Sequence, residues 1–552
     1  MSEGRGAEFG GDSWLGRERN HGRRRSRRLA PAVIGICLVL ILATALTLAL
    51  APGARASPTS LGSSVVKVPC GGSIQAAINA AHPGSTLALA PCTYVQQLTV
   101  DKSINIVGAG AGKTIIQSPA TLAPDAFGNP WTIELGSAAT VTLSGFTLVV
   151  TLQCIQVSGL FPATGLLGYA GGGIGVGGSA VLNLQSAVVT TAGATTEGGS
   201  CPSGPGFMTY GTGVDFGLDY LTVGKPAANQ LVGFGTVSGV TFSGFGYGGP
   251  AIAVGGGANS PAGSYALISD NRISTAGTTL PLETCPCAAG IAVGSGGNAS
   301  SAKIIQNALG VVPLQTTGFP IVLSFGSYAY IAQNSITGGG WGDGITVALS
   351  SWATITGNSI VGTGATDFYI GIFLLGASGL STITFNSVTG PVTGYDIALS
   401  ESSALVEFNS VGQFSCTYDA SLVAAGLCGP DFLTQYQFNG IYDASDPGLG
   451  TTIAGNIVFD SDAGIALLEG CSGCVVKGNT LLNSFDYGLW GVDGSYGFSQ
   501  NLVVGGAYGV AATAYSVNTT VVLAHVAIVG PSVAPFYTEV DFTGGTATIS
   551  GT

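Results

Sequence analysis

Residues 328–389 read YAYIAQNSITGGGWGDGITVALSSWATITGNSIVGTGATDFYIGIFLLGASGLSTITFNSVT. Three times in this stretch an Asn is followed by a small residue and then an aliphatic one: QNSI at Asn334, GNSI at Asn358 and FNSV at Asn386. Working outward, the same element recurs as DNRI (Asn271), QNAL (Asn307), FNSV (Asn409), GNIV (Asn456), GNTL (Asn479) and QNLV (Asn501). The nine Asn are spaced by 36, 27, 24, 28, 23, 47, 23 and 22 residues. The common step is close to 23. The 47 reads as two steps with an insertion, and the 36 as one step with a longer loop. An aliphatic series runs in phase with the Asn series: Ile291, Ile321, Ile345, Ile372, Ile397, Ile441, Ile465, Leu489 and Val510. Self-similarity at such a period is the mark of a stacked repeat.

Each repeat reads as a short strand, a turn, a short strand ending near the Asn, and another turn, with apolar residues at alternate positions. Strands this short cannot bury a face alone. Stacked in parallel at roughly 4.8 Å they enclose a column of Val, Ile and Leu, which predicts an all-β parallel β-helix solenoid. Asn tolerates the left-handed backbone of a sharp corner, and its amide can bond nearby backbone groups. Repeated coil on coil, such amides predict a ladder. The 90 Gly among 552 residues follow from several corners per coil.

Composition agrees with an exported body. Mean hydropathy is +0.48 and only 8% of residues are charged, yet one apolar run alone, Ala30 to Pro52, is long enough to cross a bilayer. It follows the basic stretch Arg23 to Arg28 and precedes Ala54-Arg55-Ala56. Two readings stay open: a signal peptide cleaved at that A-x-A site, or an uncleaved anchor. Either places the chain after Ser57 outside the cytoplasm, secreted or tethered to the membrane through this helix alone. Before Ser57 there are nine Arg against four acidic residues, a balance of +5. After it there are six Lys and one Arg against 24 acidic residues, a balance of −17. Nucleic acid is thereby excluded as a partner, since Lys and Arg supply that affinity. The expected division is 1–56 as basic segment and signal or anchor, 57–530 as β-helix, and 531–552 as C-terminal cap or tail.

Of 11 Cys, Cys37 lies in the apolar run. The ten outside suit an oxidising compartment. Cys70 with Cys92, Cys416 with Cys428 and Cys471 with Cys474 are candidate local bridges, and the full connectivity is open. At the start of the body, SIQAAINAA from Ser73 places Ile74, Ala77, Ile78 and Ala81 on one helical face, with Ser73 as N-cap and Pro83-Gly84 as stop. Such a helix would cover the first coil, whose core and strand edge are otherwise open.

The stretch from Ser73, SIQAAINAAHPGSTLALAPCTYVQQLTVDKSINIVGAGAGKTII, resembles the opening of pectin-lyase-like right-handed parallel β-helix proteins. The Asn repeats resemble those of carbohydrate-binding and sugar-hydrolase domains, including accessory proteins of nitrous oxide reductase. The resemblance spans roughly 65 to 530. It implies the right-handed form of the solenoid and a polysaccharide or cell-envelope glycan as partner. The fold hosts many activities, so the resemblance does not by itself choose among them. GAGAGKT at Gly108 to Thr114 lacks the four-residue gap of a phosphate loop and precedes a strand.

The activities of such families demand residues that are scarce here. After Ser57 the only His are His82 and His525, and the only Arg is Arg272. The Gly-His-Gly and Arg-x-Lys elements of galacturonan hydrolases are absent, and Arg272 in SDNRIS reads as a corner side chain. A copper role is disfavoured by two His and two Met, Met1 and Met208. Paired carboxylates remain. Glu401, Glu469 and Asp493 each stand four residues after the aliphatic marker, and Asp462 and Asp486 three before it. Glu469 and Asp493 are the candidate catalytic pair, and Asp462 and Asp486 the candidate metal pair, with Ca²⁺ as the cation. The bland reading of all four is solubility and turn capping. If the marker points inward, the following residue points outward. That aligns Thr346, Phe373, Ala398, Tyr442, Ala466 and Trp490 on one face. Phe373, Tyr442 and Trp490, with Tyr487, form a candidate shelf for sugar rings, or are packed under insertions. The favoured function is an extracytoplasmic polysaccharide-binding or envelope structural and adhesive module. The alternative is a polysaccharide lyase or glycoside hydrolase using carboxylates on the middle to C-terminal coils.

Overall fold

The computed structural model describes residues 64–551 apart from loop segments, of which the longest are 157–171, 193–206, 218–231, 277–288 and 413–438. The apolar run, Glu469, Cys471, and Cys416 with Cys428 lie outside the described residues. Those described build a right-handed parallel β-helix. Three parallel sheets of 17, 15 and 15 strands, here A, B and C, run its length. Beside them is one antiparallel pair, Gln153–Gln156 with Phe207–Tyr210.

One coil shows how the sequence makes the fold. Tyr328–Ala332 lies in sheet A, Ser335–Gly338 in sheet B and Asp343–Ala348 in sheet C. They pair in parallel with Trp352–Thr356, Ser359–Gly362 and Ile370–Leu375 of the next coil. A coil therefore has three strands, where the repeat pattern suggested two. The residues after each Asn form a strand of their own, whose aliphatic residue turns inward: Ile336, Ile360, Val388, Val411, Val458, Leu481 and Val503 are all buried. The aliphatic markers from Ile291 to Val510 stack one above another in a single unbroken register, as the phase of the repeat required. Each is fully buried, worth about 1.5–3 kcal/mol relative to exposure.

The nine Asn form a ladder. Asn271 gives its backbone N–H and Nδ2 to Oδ1 of Asn307, and the same two bonds repeat from rung to rung until Asn501, at 2.9 to 3.0 Å. The left-handed corner is not at the Asn, as the sequence suggested, but at the residue before it: Asp270, Gln306, Gln333, Gly357, Phe385, Phe408, Gly455, Gly478 and Gln500 all have φ between 56° and 65°. The physical reason is a division of labour. The preceding residue turns the chain with its side chain outside, so the Asn amide points inward and satisfies backbone groups the turn leaves unpaired. A Ser row does the same at the corner between sheets C and A. There Ser327 Oγ accepts from Ser300 N–H, and Ser351 Oγ from Ser327 N–H, both at 3.1 Å.

The N-terminal cap forms as read. Helix α1, Ile74–Ala80, buries Ile74 and Ile78, and Ser73 accepts from Ala76 N–H at its start. Cys70 and Cys92 are disulfide-bonded with Cα atoms 5.8 Å apart. Cys474 is also disulfide-bonded. Gly108 to Thr114 is a turn between Asn105–Val107 and Ile115–Gln117. At the other end, the stretch 531–552 read as a cap or tail holds two further strands. Ala534–Val540 pairs with sheet C and Ala547–Gly551 with sheet A, so the coils run on past residue 530.

Candidate functional site

The outer face of sheet C carries two register rows that share its surface. The first runs Thr346, Phe373, Ala398, Tyr442, Ala466, Trp490, Ala511, Tyr537. From Phe373 onward it alternates a large ring with alanine on every coil. Successive rings are thus two coil rises apart, roughly 10 Å, and each has an alanine beside it to lie over. The second row, three residues earlier on each strand, runs Asp343, Ile370, Tyr395, Asn439, Ala463, Tyr487, Tyr508, Ala534.

Rings from the two rows meet. Tyr395 and Tyr442 lie 4.4 Å apart by centroid. Tyr487 touches Trp490 at 5.2 Å, Tyr508 at 5.8 Å and Tyr537 at 5.6 Å, and Tyr508 and Tyr537 are 4.9 Å apart. Trp490 donates Nε1–H to Thr513 Oγ1 at 3.0 Å, and Tyr537 donates to Glu539 Oε2 at 3.1 Å. These rings are half-buried. Burial, then the neighbouring Tyr537, Asp486 and Glu539, push the Tyr487 phenol well above its ordinary value, so it stays a neutral donor. Phe373, Tyr442, Tyr487 and Trp490 therefore share one face. Tyr395, Tyr508 and Tyr537 join them, and register alone could have found these three.

Toward the N-terminal coils the same face closes. Ala289, Ala292, Phe319 and Val322 form a small buried cluster there. Glu134 and Asp215 stand in the first row on either side of Gly175, and Asp215 is fully buried. Where the face changes from closed to half-open stands Asp343, 6% exposed and in register with Ile370. It accepts a hydrogen bond from Thr346 Oγ1 at 2.9 Å. Burial pushes its carboxyl up to about 7, against the opposing pull of Thr346. Asp343 stands two residues before the marker Ile345, outside the positions three before and four after it at which the sequence pairs its carboxylates.

Of the carboxylates singled out from sequence, Asp486 adjoins this face directly before Tyr487, while Asp493 and Glu401 stand at corners. Asp493 is a left-handed corner residue with φ 52°. Its Oδ1 accepts from Tyr515 N–H at 2.7 Å and Ser516 N–H at 2.9 Å, and its Oδ2 from Ser516 Oγ at 2.8 Å. Burial raises its carboxyl, but the bonds from Ser516, Val517 and Tyr515 outweigh that and hold it below the usual carboxylate range. Glu401, at the equivalent place, is an exposed corner with φ 49°. Asp462 and Asp486 do lie on successive coils, the Asp486 N–H donating to the Asp462 carbonyl at 2.9 Å. Asp462 is half-buried and Asp486 exposed. Among the described residues no group of three or more His, Cys, Asp and Glu could hold a metal ion.

Two more carboxyls are buried away from this face. Asp443 occupies a core column between Leu399 and Leu467, where Ser445 N–H donates to it at 3.0 Å. Asp396 stands between Tyr395 and Ile397, 1% exposed, and burial pushes it well above the ordinary value.

No known protein family matches the sequence, and no curated protein does. Among solved structures, the chain is similar to a periplasmic alginate epimerase, AlgG, at 11% identity and TM-score 0.33, covering 89% of this chain and 84% of that one. It is similar to the Streptococcus pneumoniae surface protein and adhesin PfbA at 10% identity and TM-score 0.30, covering 84% and 94%. A PL6 alginate lyase in complex with a trisaccharide matches at 15% identity and TM-score 0.32, covering 88% of each. Likenesses of this size leave the chemistry of the chain to its own residues.

Proposed function

We propose that the protein is an extracytoplasmic module that binds polysaccharide along the outer face of sheet C. One observation carries this: the row Phe373, Ala398, Tyr442, Ala466, Trp490, Ala511, Tyr537, in which rings recur every second coil. Aromatic faces suit the C–H faces of pyranose rings, and a regular spacing suits a regular polymer better than a single small ligand. The Cys70–Cys92 bond supports an oxidising compartment outside the cytoplasm. Retention of the full chain in gels containing xylan, mixed-linkage glucan, alginate or polygalacturonate tests the reading. Alanine at Tyr442 and Trp490 together should weaken retention by the native ligand. A native protein retained by none of a broad glycan panel would refute it.

A second reading, turnover of a glycan, is favoured by Asp343. A carboxyl near 7 on this face, bonded to Thr346, has the value a general acid or base needs at neutral pH. Assays for unsaturated products and for reducing ends, with and without Ca²⁺, on native protein and Asp343→Asn decide it. Turnover abolished by that substitution supports catalysis; retention without cleavage leaves the binding module.

A further inference from the structure

The corner between sheets A and B carries a feature that neither the repeat nor the sheet C shelf explains. Along the left-handed row that precedes the ladder asparagines, seven of nine residues are Gly, Gln or Asp, types that tolerate or solvate such a corner. The two exceptions are Phe385 and Phe408, both with φ 57°. For bulky side chains this backbone is an outlier. Neither ring gains burial in return: Phe385 is 65% exposed and Phe408 53%. They stack on each other across adjacent coils, centroids 5.3 Å apart and planes within 15°.

The stack leans one way. A Cβ at Gly455, on the next coil, would meet Cε1 of Phe408 at 2.7 Å, so Phe408 lies over that glycine. On the other side, a Cβ at Gly357 would meet within 4 Å only Cγ of Gln333, at 3.7 Å, and no atom of Phe385. The Phe385 ring therefore does not lie over Gly357, and it remains largely open to solvent. Hydroxyl-bearing residues stand on either side of it along the chain, Thr384 just before and Ser387 two residues after. Thr384 Oγ1 donates to Thr356 Oγ1 at 3.1 Å at the end of the sheet A strands, and Ser359 and Ser387 are in register at the start of the sheet B strands. No Lys or Arg stands in these positions. The nearest charge in register is Glu407, next to Thr384, and the first cation in that row, Lys477, stands two coils beyond Glu407.

We infer that the Phe385–Phe408 stack is a second carbohydrate-contact site, which takes a pyranose ring of a neutral polysaccharide on the open Phe385 face. Thr356, Thr384, Ser359 and Ser387 supply hydrogen bonds to its hydroxyls. An aromatic plane with hydroxyl-bearing residues on either side along the chain matches a sugar, which presents C–H groups on its face and O–H groups around its edge. The absence of a cation at these positions, and Glu407 beside them, select against uronate polymers. The site is on a different corner from the sheet C shelf and does not depend on it.

The test is affinity electrophoresis of the full chain in xylan, mixed-linkage glucan and mannan, with alginate and polygalacturonate as anionic comparators. Three proteins are compared: native, the double variant Phe385→Asn with Phe408→Asn, and Trp490→Ala. Asparagine accepts the left-handed backbone, so the double variant keeps the corner, which a thermal melt verifies. The expected result is at least a tenfold loss of retention by a neutral glycan in the double variant, with its melting temperature no lower than native. Unchanged retention overturns the site, as does a native protein held only by the anionic polymers or by none. A concentration-dependent dimer that the double variant dissolves would also overturn it, by making the stack a contact between copies. Loss in Trp490→Ala without loss in the double variant removes this site and leaves the sheet C reading; the reverse pattern removes the shelf alone.

Discussion

Oδ1 of Asn358 accepts two hydrogen bonds from Asn334, one from its backbone N–H at 3.0 Å and one from its Nδ2 at 2.9 Å. Asn358 in turn gives its own Nδ2 to Ile331 O and to Asn386 Oδ1. One side chain thus satisfies three coils. Asn358→Ala should leave the buried Asn334 N–H and Ile331 carbonyl unpaired, at a cost of about 2–4 kcal/mol. Asn358→Asp should cost no less at neutral pH, because a carboxylate cannot donate to Asn386, and should recover in part on acidification. Denaturant melts read both; a loss below about 0.5 kcal/mol would show the ladder to be ornamental.

Phe385 should be replaceable without loss of stability. The left-handed conformation costs a non-glycine residue about 1–2 kcal/mol, while the ring stack returns about 0.5–1.5 kcal/mol. Phe385→Asn is therefore expected within about 1 kcal/mol of native, on the stabilising side if anything. Val388→Ala, three residues on and fully buried, should cost about 2 kcal/mol. A loss at Phe385 as large as that at Val388 would mean the ring is packing, not surface.

Glycine is needed at Gly371 for space. A Cβ there would stand 2.5 Å from Val388 Cγ1 and 2.6 Å from the Asp396 carbonyl oxygen. At Gly376, with φ 59°, nothing lies within 4 Å of the same atom. Gly371→Ala should cost about 2–4 kcal/mol through overpacking against backbone, and Gly376→Ala about 1 kcal/mol through conformation alone. Equal effects at the two sites would contradict this geometry.

Stability should depend on pH through Asp343. Its native carboxyl is raised to about 7 by burial, whereas an unfolded Asp titrates near 3.9. Between those values the native state holds a proton the unfolded chain has lost. Its contribution is therefore full below about pH 4, declines as pH rises to about 7 and is level above, by up to about 4 kcal/mol. Asp396 acts in the same direction. Asp493, held low, acts in the opposite sense: its contribution is present above about pH 4 and is lost as pH falls through its native value. Thermal melts from pH 4 to 8 should show a flatter profile for Asp343→Asn than for native protein; parallel profiles would exclude the raised value.

On the sheet C shelf, Tyr442→Ala and Trp490→Ala should each weaken glycan retention by about 3-fold to 10-fold, the worth of one ring contact. Two coils separate them, so the effects should add. Retention that survives both substitutions would move the ligand off this face.

The repeat phase alone determined the solenoid, the inward column from Ile291 to Val510, the nine rungs of the Asn ladder and the row that holds Phe373, Tyr442 and Trp490. Period and alternation are local properties, and parallel stacking converts a shared phase directly into contact. Only the tertiary structure decided what each outward side chain meets. It showed that the left-handed turn falls one residue before each Asn, and that Asp493 caps the turn at Tyr515 to Val517 on the following coil. It also buried Asp343 and left Phe385 open, though both stand at outward positions. Burial, and with it pKa and ligand access, depends on which other parts of the chain lie against a residue. Spacing along the sequence does not carry that information.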